Sequence, residues 1–96
     1  MAHESLSGKV VVIAGGAGLI GRGIVKAVLE HGGTVIVADL DAKTGEAFTA
    51  ELKQQCPDNP SDFIRLDITS KASIQAMIGF AAEKYKRLDA VINSAY

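Results

Sequence analysis

The sequence predicts an α/β fold, a three-layer, doubly wound parallel sheet with its strands in the order 3-2-1-4. Three observations carry that reading. Short β-branched, apolar runs recur along the chain without polar alternation, the pattern of strands buried on both faces of a parallel sheet. Between them lie segments of 12 to 17 residues whose apolar side chains return at helical spacing. The first such run passes into a glycine-studded turn, Gly15-Gly16-Ala17-Gly18-Leu19-Ile20-Gly21, before the first helix. Strands alternating with helices in this way give parallel pairing with right-handed crossovers.

Taken in order, residues 10–14, Val-Val-Val-Ile-Ala, form the first expected strand. From Gly18 to His31 the residues Ile20, Ile24, Ala27 and Val28 recur on one helical face while Arg22, Lys26 and Glu30 lie elsewhere, and Gly32-Gly33 ends the helix. Residues 34–38 form a second strand, closed by Asp39-Leu40-Asp41. Asp41 is placed to cap a helix running to about Gln55, with Ala47, Phe48 and Leu52 facing inward. Residues 56–61 hold both prolines and read as a loop. A third strand over 62–66 is ended by Asp67. Thr69 or Ser70 then caps a helix whose apolar stripe is Ile74, Met77, Ile78, Ala81 and Tyr85. Residues 88–92 make a fourth strand, ended by Asn93.

Chemistry concentrates at the strand ends. Gly16, Gly18 and Gly21 fit G-x-G-x-x-G, in which the first glycine allows a tight turn, the second lets backbone approach a pyrophosphate and the third lets helix pack on strand. The amino end of the following helix points N–H groups and its positive dipole end at such an anion. The motif requires a strand before it, a helix after it and an acid about 20 residues on at the next strand's end. Asp39, 18 residues after Gly21, is that acid. The stretch therefore reads as a Rossmann-type dinucleotide site, with the ligand beyond the carboxyl ends of the strands where their order reverses, between strands 1 and 4. There Asp39 accepts both ribose hydroxyls of NAD and repels a 2′-phosphate; its other reading is a helix cap, for which Asp41 is better placed. Asp67 either accepts from the adenine amino group or holds the turn before Thr69. Asn93 either faces the nicotinamide half or is a strand-terminal turn residue.

Bulk properties exclude several classes. The chain has 96 residues, 48% hydrophobic and 22% charged, with net charge −1, which is ordinary for one small globular domain and gives no electrostatic footprint for nucleic acid or an anionic membrane. No run reaches the roughly 18 continuous apolar residues of a membrane span, and the opening residues lack a secretory leader pattern. The single cysteine, Cys56, excludes an internal disulfide and has no His or Cys at metal-ligand spacing, so no metal site is expected. These features predict a cytoplasmic protein.

Together, Leu6-Ser7-Gly8-Lys9-Val10-Val11-Val12-Ile13, the run Ala14 through Gly21, Asp39, Leu66-Asp67-Ile68 and Leu88-Asp89-Ala90-Val91-Ile92-Asn93-Ser94-Ala95 resemble the N-terminal half of a short-chain dehydrogenase/reductase over essentially the whole chain. The resemblance implies an NAD-dependent oxidoreductase passing hydride between nicotinamide and a carbonyl or alcohol. It implies that Gly15, Gly16, Gly18, Leu19, Ile20 and Gly21 hold the pyrophosphate, Asp39 with the adjacent Leu40 the adenosine ribose, Asp67 and Ile68 the adenine, and Asn93 with Ala95 the nicotinamide side. Three departures stand out. Ala14 replaces a threonine whose hydroxyl ties strand 1 to the strand-4 turn. Asn93-Ser94-Ala95-Tyr96 replaces Asn-Asn-Ala-Gly, and Leu19 stands where the family's shorter branch has glycine.

The family's chemistry also uses a tyrosine acid/base, a lysine four residues later and a serine, and none can be assigned here: Tyr85 is followed at the fourth position by Asp89, and Tyr96 is the last residue. By this reading the chain alone binds cofactor and catalyses nothing. Two other readings are a nucleotide-sugar epimerase or dehydratase of the extended branch and a non-catalytic NAD-sensing module. Geometry independently points to an incomplete sheet. Right-handed crossovers place helices 1 and 2 on one face and helix 3 alone on the other, and strand 4 is an apolar edge. Residues 1–96 are accordingly expected to be the N-terminal part of a single NAD(P)-binding domain, truncated after strand 4. The longer protein would act on a small-molecule substrate as a homo-oligomer, without nucleic-acid or membrane partners.

Overall fold

The structure, a computed structural model, describes residues 5–94. Its elements run β1 (Val10–Ala14), α1 (Leu19–Glu30), β2 (Thr34–Asp39), α2 (Ala42–Gln55), β3 (Ser61–Arg65), α3 (Lys71–Tyr85) and β4 (Ala90–Asn93). The four strands pair in parallel in the order β3-β2-β1-β4. That is the architecture expected from the alternation of apolar runs and helical segments.

All five residues of β1 are buried, because strands flank it on both sides and helices lie on both faces. Register partners in neighbouring parallel strands face the same side, so Ile13 shares a face with Val37 and Ile92. Val11, Ile13, Val35 and Val37 pack with Val25, Val28 and Leu29 of α1 and with Phe48 and Leu52 of α2. The alternate residues Val10, Val12, Ala14, Ile36 and Ala38 pack with Met77 and Ala81 of α3. Three layers result, with two helices on one face of the sheet and one on the other.

Three helix faces differ from their expected phase. The buried residues of α1 are Gly21, Val25, Val28 and Leu29, whereas Ile20 is 62% exposed and Ala27 faces solvent. The cause is Gly21, whose lack of a side chain lets the helix press against the preceding loop and so fixes its rotation. In α2, Gly45, Phe48, Thr49 and Leu52 are buried and Ala47 is exposed. Gly45 lies against the Phe63 ring, where a Cβ would come within 2.0 Å of Cε1. In α3, Met77 and Ala81 are buried but Ile78 is exposed, since a single helix on that face meets the sheet along a narrow line. Strand boundaries shift slightly: β3 occupies 61–65 rather than 62–66, and β4 begins at Ala90 with Leu88 packed beside α3.

Asp89 explains the late start of β4. Its Oδ2 accepts from the Val10 backbone N–H at 2.7 Å and from Arg87 Nε at 2.8 Å, and its Oδ1 accepts from Arg87 Nη2 at 2.7 Å. The carboxylate therefore staples the entry of β4 to the entry of β1. Of β4 itself, Ala90 and Val91 are exposed, and β1 is its one strand partner among the described residues. No helix among those residues is long and apolar enough to cross a membrane, and no cluster of three potential metal ligands occurs among them.

The Arg87 hydrogen bonds, reinforced by the Val10 N–H, hold the Asp89 carboxyl down to about 2 from 3.8. A carboxylate with a depressed folded-state pKa stabilises the fold above its unfolded value, and that contribution is lost as pH falls through the folded value. Asp89→Asn is therefore expected to lower the urea midpoint at neutral pH and to flatten its decline between pH 4 and pH 2. An acid limb unchanged by the substitution would contradict the staple.

Candidate functional site

The loop after β1 is built by glycine where other residues would be strained or too large. Gly15 has φ 77°, the left-handed region, and its N–H reaches Ala38 O at 2.7 Å, tying the end of β1 to the end of β2. Gly16 donates to Ile13 O at 3.1 Å and Gly18 to Gly15 O at 3.0 Å, closing two tight turns. Behind the loop, a Cβ on Gly21 would lie 2.2 Å from Gly15 O and 2.7 Å from Gly16 Cα, so α1 begins in direct backbone contact with the turn.

Helix capping separates α1 from the other two helices. Asp41 Oδ1 accepts from Thr44 N at 3.1 Å to cap α2, and Ser70 Oγ accepts from Ser73 N at 3.2 Å to cap α3. Gly18, the N-cap of α1, offers no side chain, and the first bond within that helix is Arg22 N to Gly18 O at 2.9 Å. The N–H groups of Leu19, Ile20 and Gly21 have no partner among the described residues. Three donors left open in this way at the positive end of a helix dipole are an arrangement that favours an anion.

Beside that helix end lies a cleft of about 430 Å³, beyond the carboxyl ends of all four strands and within the usual size range of small-molecule sites. Gly15 and Gly18 form one wall. Ala38, Asp39 and Leu40 come from the end of β2; Leu66, Asp67, Ile68 and Thr69 follow β3; and Ser94 follows β4. Leu40 is 57% and Ile68 40% exposed, two large apolar side chains partly open to solvent at the cleft.

The two acids occupy different settings. Asp39 Oδ2 accepts from Ala17 N at 3.2 Å and Oδ1 from Asp41 N at 3.1 Å, so each oxygen holds one backbone N–H and keeps further acceptor capacity towards the cleft. Asp67 Oδ1 accepts from both Thr69 N (2.9 Å) and Thr69 Oγ1 (2.6 Å), which holds its carboxyl below the usual carboxylate range. That is the turn role considered from sequence. Asp67 Oδ2 has no partner among the described residues, so the same side chain also presents an open acceptor.

Gly15, Gly18, Asp39, Leu40, Asp67 and Ile68 thus meet in one cleft. Gly16 and Gly21 stand behind the loop, where they permit close packing, and Leu19 (92% exposed) and Ile20 flank the helix end without lining the cleft wall. Asn93 pairs in register with Ala14 and is not part of the lining; Ala95 lies outside the described residues. Thr69 and Ser94 were not singled out as site residues from sequence. Asp67-x-Thr69, a turn-forming pair, was the available signal for the first. Ser94 donates from both N and Oγ to Ala14 O, each at 2.9 Å. Its hydroxyl thereby makes the tie between β1 and the β4 turn that was expected to be missing with Ala14.

The short chain dehydrogenase family model matches residues 9–95. An L-fucose dehydrogenase of Oryctolagus cuniculus is 36% identical over 89 residues, which are 93% of this chain and 29% of that protein. A short chain dehydrogenase from Mycobacterium smegmatis superposes with a TM-score of 0.90 at 28% identity, covering 98% of this chain and 39% of that one. The NADPH-dependent 3-quinuclidinone reductase of Rhodotorula rubra gives 0.84 at 29% identity, covering 94% and 34%. The chain spans about a third of the length of these relatives.

The backbone contact at Gly21 leaves no room for a methyl group. Gly21→Ala is expected to cost about 1–3 kcal/mol or more in urea denaturation, the scale of overpacking in a rigid interior. A wild-type midpoint would show that helix and loop are not in contact.

Proposed function

This chain belongs to the short-chain dehydrogenase family, an oxidoreductase family whose members bind nicotinamide cofactors, and on that premise we propose that it is the cofactor-binding part of an NAD-dependent dehydrogenase or reductase. Its longer protein passes a hydride between nicotinamide and a carbonyl or alcohol on a small-molecule substrate. The observation that carries the reading is that Gly18, the N-cap of α1 with no side chain to cap the helix, and Asp39 line one cleft.

The residues fit the two polar parts of such a cofactor. The N–H groups of Leu19, Ile20 and Gly21 would receive the diphosphate, whose charge offsets the orphan donors and the dipole. Asp39 would accept the ribose hydroxyls with the lone pairs not used by Ala17 and Asp41, and its charge opposes a 2′-phosphate. Leu40 and Ile68 would cover the adenine faces, with Asp67 Oδ2 as an acceptor for its amino group. When bound, the nicotinamide supplies the hydride acceptor or donor. What these residues contribute is binding, orientation and cofactor choice.

Proton transfer is not assigned to this stretch. Tyr85 lies at the opposite end of the sheet, at the carboxyl end of α3, and donates its hydroxyl to Asp62. Burial and the Asp62 carboxylate raise its pKa, the reverse of what an acid/base tyrosine needs at neutral pH. The 96-residue chain is accordingly proposed to bind cofactor without turning substrate over, the acid/base group being supplied by further chain.

Calorimetric titration of the chain with NAD and NADP tests this. NAD is expected to bind more tightly, and Asp39→Asn, which keeps an acceptor for Ala17 N–H but removes the charge, is expected to narrow the gap about tenfold, a change of about 1.4 kcal/mol. Absence of binding by either nucleotide, or a ratio unmoved by the substitution, contradicts the assignment.

A further inference from the structure

Ala17, between two of the loop glycines, has both of its backbone polar groups held by side chains. Asp39 Oδ2 accepts its N–H at 3.2 Å, and Arg22 Nε donates to its carbonyl at 2.8 Å. Arg22 is itself fixed: its guanidinium carbon sits 4.5 Å from the centroid of the Phe48 ring, and Phe48 is buried in α2. The described ion pairs, Lys84 with Asp62 and Arg87 with Asp89, do not include Arg22, so the guanidinium is spent on a carbonyl and an aromatic face. Planar, delocalised and weakly hydrated, that group suits both contacts at once.

We infer that Arg22 is a positioning residue for dinucleotide binding, fastening Ala17 opposite Asp39 so that the diphosphate-receiving amides and the ribose-selecting carboxylate keep a fixed separation. This rests on the dinucleotide reading above. Ala17 is 7% exposed, so its carbonyl has little access to water as a replacement partner. Losing the Arg22 donor leaves that carbonyl unsatisfied unless the residue rotates. Rotation would turn the Ala17 N–H away from Asp39 and tilt Gly18, the cap of α1, with it. Arg22 also binds Gly18 through its own backbone N–H, so one residue holds the loop at two consecutive carbonyls.

Two substitutions of matched length separate hydrogen bond from bulk. In Arg22→Gln the amide nitrogen lies the same number of bonds from the backbone as Nε does; in Arg22→Met a methyl group lies there and donates nothing. NAD and adenosine, the latter without a diphosphate, are titrated calorimetrically into the full chain and both variants, with thermal unfolding followed for each. R22M is expected to weaken NAD about tenfold, the scale of one lost hydrogen bond, while adenosine changes by less than about twofold and R22Q stays within about threefold of wild type for both ligands. Unchanged NAD affinity in R22M, a parallel loss of NAD and adenosine, or R22Q no better than R22M overturns the inference while leaving the dinucleotide reading intact. Failure of the unsubstituted chain to bind NAD overturns both. If R22M lacks a cooperative melting transition, R22Q decides: near-wild-type NAD affinity supports the positioning role, and a tenfold loss refutes it.

Discussion

How closely the amino end of α1 approaches the end of β1 governs everything built beyond the sheet. A Cβ at Gly21 would overlap Gly15 O, so backbone meets backbone there without any side chain between. That contact fixes the rotation of α1, sends Val25, Val28 and Leu29 into the core and leaves Ile20 outside. It also leaves the N–H groups of Leu19, Ile20 and Gly21 without a partner among the described residues, beside the strand ends. Packing and the proposed anion site therefore follow from one constraint, and a side chain at this position would disturb both.

Asp39 extends the constraint to the second strand. Its carboxylate holds Ala17 in the loop and the backbone of Asp41 at the start of α2, so the group proposed to read the ribose is also part of the frame that shapes the loop proposed to receive the diphosphate. A carboxylate positioned by two backbone donors meets a ligand in a set orientation, so little ordering remains to be done on binding. At the far side of the cleft, Ser94 fastens the β4 turn to Ala14 through two bonds to one carbonyl. The cleft is thus framed by ties among β1, β2 and β4 that do not depend on a ligand.

Strand order, the glycine turn and the acid after β2 were legible because each leaves a local mark: an unbroken apolar run, a glycine where φ is positive or backbone touches backbone, a carboxylate at a fixed interval. Helix phase was less legible. The apolar residues of α1 and α3 outnumber those the sheet can cover, and the rotation is chosen by Gly21 and, in α2, by Gly45 against Phe63, residues that carry no hydrophobic signal of their own. Ser94 escaped because its partner is 80 residues away in sequence, and a hydroxyl that reaches a backbone carbonyl leaves no spacing pattern. Arg22 reads as one more solvent-facing helical charge until the fold brings Phe48 beneath it.

The exposed backbone at the start of α1 is proposed to receive a diphosphate. Following the backbone amides by two-dimensional 1H-15N NMR while NAD is added tests it residue by residue. The largest shifts are expected at Gly18, Leu19, Ile20 and Gly21, with smaller ones at Asp39 and Ile68. Shifts confined to the opposite end of the sheet, around Lys53, Ser61 and Tyr85, with the α1 amides unmoved, would contradict it.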